Sequence, residues 1–242
     1  MAEKYDLIFS LGTIPELSQL MHNMELQVFD YPFDFISGGN FLVRMSLFLL
    51  DCNRFMEQKN ISVPKNTPKE GMTLFKDIQT GFIYHNEFNP ELPIENTFPS
   101  VKLKYDRYIK NLNLNINVAK KILLVYVENP QQPEDDDDNA SLVLEACQKL
   151  KTKYPKKEFK ILYVKNDEDV ENIKVIQLGK NAEKLAFNFY RKFSETSAPY
   201  IDFSMLSMIF TDIELKKSWR LKKIFFYQKI LNKIMEIKRN IN

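Results

Sequence analysis

At 242 residues, 44% hydrophobic and 13% aromatic, the chain has ample material for one large packed domain, or one domain with an appendage. Nineteen Phe and eleven Tyr against six Gly exclude collagen-like and disordered classes, and no run approaches the roughly 20 apolar residues of a membrane span. The net charge of +2 hides an asymmetry: residues 213–242 carry nine Lys/Arg against two Glu, +7, which leaves −5 for the rest.

Two cysteines, Cys52 and Cys147, and a start without a basic-then-apolar leader point to a reducing, cytoplasmic setting. No groove-reading motif accompanies the basic charge, so no nucleic-acid partner is expected.

The chain opens on Leu7-Ile8-Phe9-Ser10-Leu11-Gly12-Thr13-Ile14-Pro15-Glu16. This reads as a buried strand, a glycine turn and a helix running to about Met24. Gly12 lets the backbone turn and a ligand approach it. Thr13 is the expected N-cap, Pro15 lies in the first turn, and Glu16 completes a capping box. Free N–H groups and the positive end of the helix dipole converge at such a junction, so it is the natural place for a ligand. His22 falls near the helix end and is expected to face solvent.

Next comes Phe29-Asp30-Tyr31-Pro32-Phe33-Asp34-Phe35, extended because Pro32 forbids helix. Asp34 among aromatics needs donors or a cation, so it is either an acceptor for backbone N–H groups or a site residue. Gly38-Gly39-Asn40 is a turn, with Asn40 as N-cap of a buried helix over 41–55 that contains Cys52 as a core residue. Residues 56–75 form a polar connection. Residues 80–88 are a short strand with His85 at its exit, followed by Asn86. His85 is either a buried hydrogen-bonded residue or a general base. Residues 99–115 read as a helix on which Arg107 is an anion clamp or a solvated charge.

Residues 121–127 are the clearest buried strand. The acidic run Glu134-Asp135-Asp136-Asp137-Asp138 lacks the alternation and glycine of a calcium loop. It is expected to be exposed and to suit the N-terminus of the next helix, 140–153, which holds Cys147. Strands follow over 159–164 and 172–179. Residues 213–239 read as an amphipathic basic helix with Trp219 on its apolar stripe. It either packs on the domain or lies on an anionic membrane surface. The expected fold is therefore α/β, a mainly parallel sheet with helices on both faces, as a domain over 1–195, with a C-terminal basic helical extension over 196–242.

Five pieces in order, Ser10-Leu11-Gly12, Pro32-Phe33-Asp34-Phe35, His85-Asn86-Glu87-Phe88, Lys104-Tyr105-Asp106-Arg107 and the strand over 122–127, resemble the papain-like cysteine peptidase family. The resemblance covers residues 5–165. That family places a cysteine after Ser-Leu-Gly and two variable residues, at the helix start, and the resemblance implies a Cys–His hydrolase. Here the position is Pro15, which has neither thiol nor N–H. His85 and Asp34 match the pattern; Thr13 and Ser10 are the remaining candidate nucleophiles; Gly12, Thr13, Asn86 and Arg107 are candidate ligand contacts. Ser218-Trp219-Arg220-Leu221 is similar to tail motifs of bacterial surface-polysaccharide glycosyltransferases. The expected function is a binding or accessory module near the cytoplasmic membrane face that has lost the family's reaction. Its ligand would be a protein or small molecule, and no metal or cofactor is called for. The alternative is an active hydrolase or transferase using His85 with Asp34.

Overall fold

The computed structural model describes residues 2–62, 74–89, 91–131, 134, 136–192 and 198–217. Its centre is a five-stranded sheet in the order β2 (Leu7–Ser10), β7 (Lys121–Val127), β8 (Glu158–Asn166), β10 (Ala182–Phe187), β9 (Lys174–Gly179). The first four run parallel, and β9 closes the edge antiparallel to β10. Every residue from Ile122 to Val127 is buried, because apolar layers cover both faces of the sheet.

Between β2 and β7 the chain builds a second, antiparallel sheet in the order β3 (Ile36–Gly38), β6 (Phe82–His85), β5 (Leu74–Asp77), β4 (Ile61–Ser62), with α1 (Glu16–Asn23), α2 (Phe41–Leu49) and α3 (Ile94–Val118). The molecule is thus α/β with mixed sheets, which corrects the expectation of a mainly parallel one. One face of the central sheet packs on α2, α3, α4 (Asp136–Lys153) and the inner face of the second sheet. This layer is rich in rings such as Phe9, Phe33, Phe41, Phe48, Tyr84 and Tyr105. The other face packs on α1 and on Leu206, Ile209 and Leu215.

Several expected bounds move. The helix expected over 41–55 stops at Leu49, and Asp51, Cys52 and Arg54 adopt left-handed turns. The helix expected from 99 begins at Ile94, with Pro99 inside it. Residues 198–217 are not a helical extension. They form β12 (Tyr200–Ile201), which pairs with β11 (Tyr190–Arg191), then α5 (Phe203–Ser207), and β13 (Ile213–Leu215), which pairs parallel with β1 (Glu3–Tyr5). A strand thus stands where the basic helix was expected to begin. The rest of that helix, with Trp219 and the Ser218–Leu221 motif, lies outside the described residues. No helix among the described residues is long and apolar enough to cross a membrane.

Candidate functional site

The β2–α1 junction is held by a side chain that sequence reasoning missed. Arg44, on α2, is fully buried. Its Nε donates to Gly38 O (3.0 Å), its Nη2 to Ile36 O (3.1 Å) and Gly38 O (2.7 Å), and its Nη1 to Leu11 O (3.1 Å) and Gly12 O. The guanidinium also lies over the Phe82 and Phe33 rings, at 5.1 and 5.9 Å. Five donors in a fixed fork suit such a carbonyl cage. Burial lowers the Arg44 pKa to about 10, which leaves it charged at neutral pH. The available signal was one Arg inside an otherwise apolar helix, shortly after Gly-Gly-Asn.

The glycines of this cage are required. A Cβ on Gly38 (φ +70°) would sit 2.3 Å from Gly81 O, and one on Gly39 (φ +63°) 2.4 Å from the Phe82 ring. Gly12 is tight for another reason, since a Cβ there would meet Ser10 Oγ at 3.0 Å and Leu17 Cδ2 at 3.1 Å. Its carbonyl is turned inward to Arg44.

Two proposed nucleophiles are excluded by their bonding. Ser10, 2% exposed, accepts the Gly12 N–H on its Oγ at 2.8 Å. Thr13, 4% exposed, does not cap α1; its Oγ1 donates to Val127 O at 2.9 Å, and its N–H points to the same carbonyl at 3.2 Å. Pro15 occupies the residue before α1, with helical φ and ψ and no capping side chain.

His85 stands at the end of β6. Ser37 pairs with Ile83, two residues before His85, so Ser37 and His85 lie diagonally on one face of the second sheet. His85 Nε2 is 2.6 Å from Ser37 Oγ. With Nδ1 carrying the ring proton, Ser37 donates and the imidazole accepts. Both residues are half-buried. Burial lowers the His85 pKa, and Glu16, the first residue of α1, opposes this only in part. Burial therefore favours the neutral imidazole. Ser37 went unnoticed because a single Ser between Ile36 and Gly38 carries no motif.

Asp34 does not join this pair. It is buried, and its Oδ2 accepts from Tyr31 N–H (2.7 Å) and Gln27 Nε2 (2.6 Å). Burial raises its pKa to about 7, against the Tyr31 and Gln27 donors. Its titratable neighbours include His22, in the last turn of α1, and Asp30, beyond the C-terminal end of that helix. His22 is half-buried beside Asp30 rather than facing solvent. Of the expected ligand contacts, Asn86 is exposed with φ +54°, and Arg107 is exposed over the Tyr108 ring at 5.7 Å. Glu134 does not serve the helix that follows it: it accepts from Phe41 N–H (3.0 Å) at the start of α2 and from the Tyr126 hydroxyl. Asp135 and the side chains at 136–138 lie outside the description.

The two thiols are poor nucleophiles. Burial pushes Cys52 up to about 12 and Cys147 up to about 11. No family model, curated protein or solved structure matches the chain.

Proposed function

We propose that the chain is a degenerate member of the papain-like cysteine peptidase family that works as a binding or accessory module. The observation that carries this reading is the junction itself. A histidine on an antiparallel strand feels the charge of Glu16, the first residue of α1, and the position where the resembled family places its thiolate is Pro15. A helix N-terminus beside a histidine is the setting that activates a cysteine. On this reading the scaffold for that chemistry is retained, and buried Cys52 and half-buried Cys147 are too weakly acidic to replace the missing group. The half-buried Ser37–His85 pair then offers one hydroxyl and one imidazole to a polar ligand. The Ser218–Leu221 resemblance points to surface-glycan assembly as the setting.

A second reading rests on the 2.6 Å Ser37–His85 contact. In an acyl hydrolase built on it, Ser37 Oγ attacks the acyl carbon as His85 Nε2 takes the hydroxyl proton. His85 then returns that proton to the leaving group, and water attacks the acyl-serine.

The two readings separate in one experiment. The full-length protein is incubated with a panel of esters, peptides and acyl-thioesters, and in parallel with a fluorophosphonate that labels activated serines. The binding-module reading expects no turnover above buffer and no mass adduct. Turnover or an adduct that vanishes in both Ser37→Ala and His85→Ala would overturn it and establish the hydrolase.

A further inference from the structure

At the far end of α1 from Glu16, three side chains converge without a stated purpose. His22 lies in the last turn of the helix. Glu25 then takes a left-handed conformation (φ +57°), and the chain returns to place Asp30 and Asp34 on either side of Tyr31-Pro32-Phe33. His22, Asp30 and Asp34 bring one ligand-type atom each to within 4.8 Å of one another.

Two polar atoms of these side chains make no hydrogen bond. Asp34 is 1% exposed, and while its Oδ2 is occupied by Tyr31 and Gln27, its Oδ1 makes no hydrogen bond. His22 Nε2 is shielded from solvent and makes none either. Asp30 Oδ1 lies 3.4 Å from it, off the line a hydrogen bond needs. A buried carboxylate oxygen without a donor is costly, and an unused imidazole nitrogen facing two carboxylates asks for an electron-pair acceptor rather than another base.

We propose that His22 Nε2, Asp30 and Asp34 bind one divalent transition-metal cation of the zinc type. One nitrogen and two carboxylate oxygens suit Zn²⁺, whereas Ca²⁺ and Mg²⁺ take all-oxygen shells. Bonds of about 2.0–2.2 Å set neighbouring donors of a tetrahedral shell roughly 3.4 Å apart. The His22–Asp30 spacing already has that value. Asp30, with 44% of its side chain exposed, is free to swing inward and also gives the cation a route from solvent. Asp34 is held in place by its two donors, as supporting hydrogen bonds hold ligands in metal sites. Three protein ligands leave one position for water or a ligand atom. The cation would fasten the 30–34 corner to the last turn of α1.

The test uses untagged, full-length protein stripped with a chelator, titrated with Zn²⁺ by calorimetry and followed by thermal unfolding. One Zn²⁺ per chain is expected, with Tm raised by about 5 °C or more at a hundredfold excess over Kd. His22→Gln and Asp30→Asn, both at half-exposed positions, are expected to keep the metal-free Tm and to lose about 100-fold or more in affinity. Co²⁺ substituted into the wild type is expected to give visible d–d bands that each variant abolishes. Absence of binding, or binding equal in wild type and both variants, would overturn the proposal. A variant that fails to fold is replaced by Asp30→Glu, whose bound Co²⁺ is expected to show shifted bands; unshifted bands would also overturn it.

Discussion

Arg44 puts a full charge in the core with carbonyl dipoles as its hydrogen-bond partners. A buried ion is tolerated when its geometry is satisfied, and removing it leaves the partners orphaned. Truncation at Arg44 would strand the carbonyls of Ile36, Gly38, Leu11 and Gly12 together. Arg44→Met is therefore expected to cost about 3–5 kcal/mol of stability. Arg44→Lys, with three donors on one point, is expected to recover only part of that. Urea unfolding measures both; a loss below about 1 kcal/mol in Arg44→Met would mean that the cage does not hold the junction. At this scale the sequence was misleading in an instructive way. Asp34 and His85 were legible as unusual, because a carboxylate among aromatics and a histidine at a strand exit each break a pattern. What each one touches was not legible. Asp34 is closed by Gln27 and Tyr31, only a few residues away, while His85 is met by Ser37, 48 positions earlier.

Among the elements, long apolar runs were readable and short mixed ones were not. Residues 121–127 are apolar from Ile122 to Val127 and needed no context to be recognised as a buried strand. β10 carries Glu183 and Lys184 at its centre and was missed. It is a strand because β8 and β9 supply a register on either side. Of the second sheet only β6, inside the strand expected over 80–88, was legible; β3, β4 and β5, of two to four residues, were not, and the close approach of β3 to β6 depends on Gly38, Gly39 and Gly81. The edge strand β1 shows charge doing similar work. Glu3 pairs with Lys121 (2.7 Å) and Lys160 (3.2 Å), and Lys160 also reaches Glu183 (3.0 Å). Burial alone would raise the Glu3 carboxyl, but Lys121 and Lys160 outweigh it and hold the pKa at about 2, below its ordinary 4.5. A carboxyl depressed on folding stabilises fully above its unfolded pKa and loses that contribution as pH falls through the folded value. The wild type is thus expected to be more stable than Glu3→Gln at pH 6, with the two melting curves converging between about pH 4.5 and pH 2. A gap that stays constant across that range would show that the Glu3 charge is not what ties β1 to the sheet. Because the Glu3 side chain is more than a third exposed and screened by solvent, the gap is expected to be small.

In the whole molecule, the parts gathered around Arg44 come from distant stretches of chain. β2 and α1 supply the junction, the second sheet brings Ser37 and His85, and α2 locks both through Arg44, whose bonds run to Leu11 and Gly12 on one side and to Ile36 and Gly38 on the other. The start and the end of the described chain meet where β1 pairs with β13 and Lys216 N–H donates to Tyr5 O. Residues 198–217 therefore belong to the body of the fold. That closure was not readable, since Ile213-Glu214-Leu215 is too short for a strand pattern and sits at the head of a basic amphipathic stretch. If the junction is a peptidase-like scaffold without its nucleophile, restoring the thiol should restore the activation. The decisive measurement is the pH dependence of alkylation of Pro15→Cys by iodoacetamide, with Cys52 and Cys147 replaced by Ala, in the presence and absence of His85→Ala. An apparent thiol pKa well below the usual value of about 8.5, moving back toward it when His85 is removed, is the expected result. A thiol that titrates at or above about 8.5 and ignores His85 would contradict the degenerate-peptidase reading of this junction.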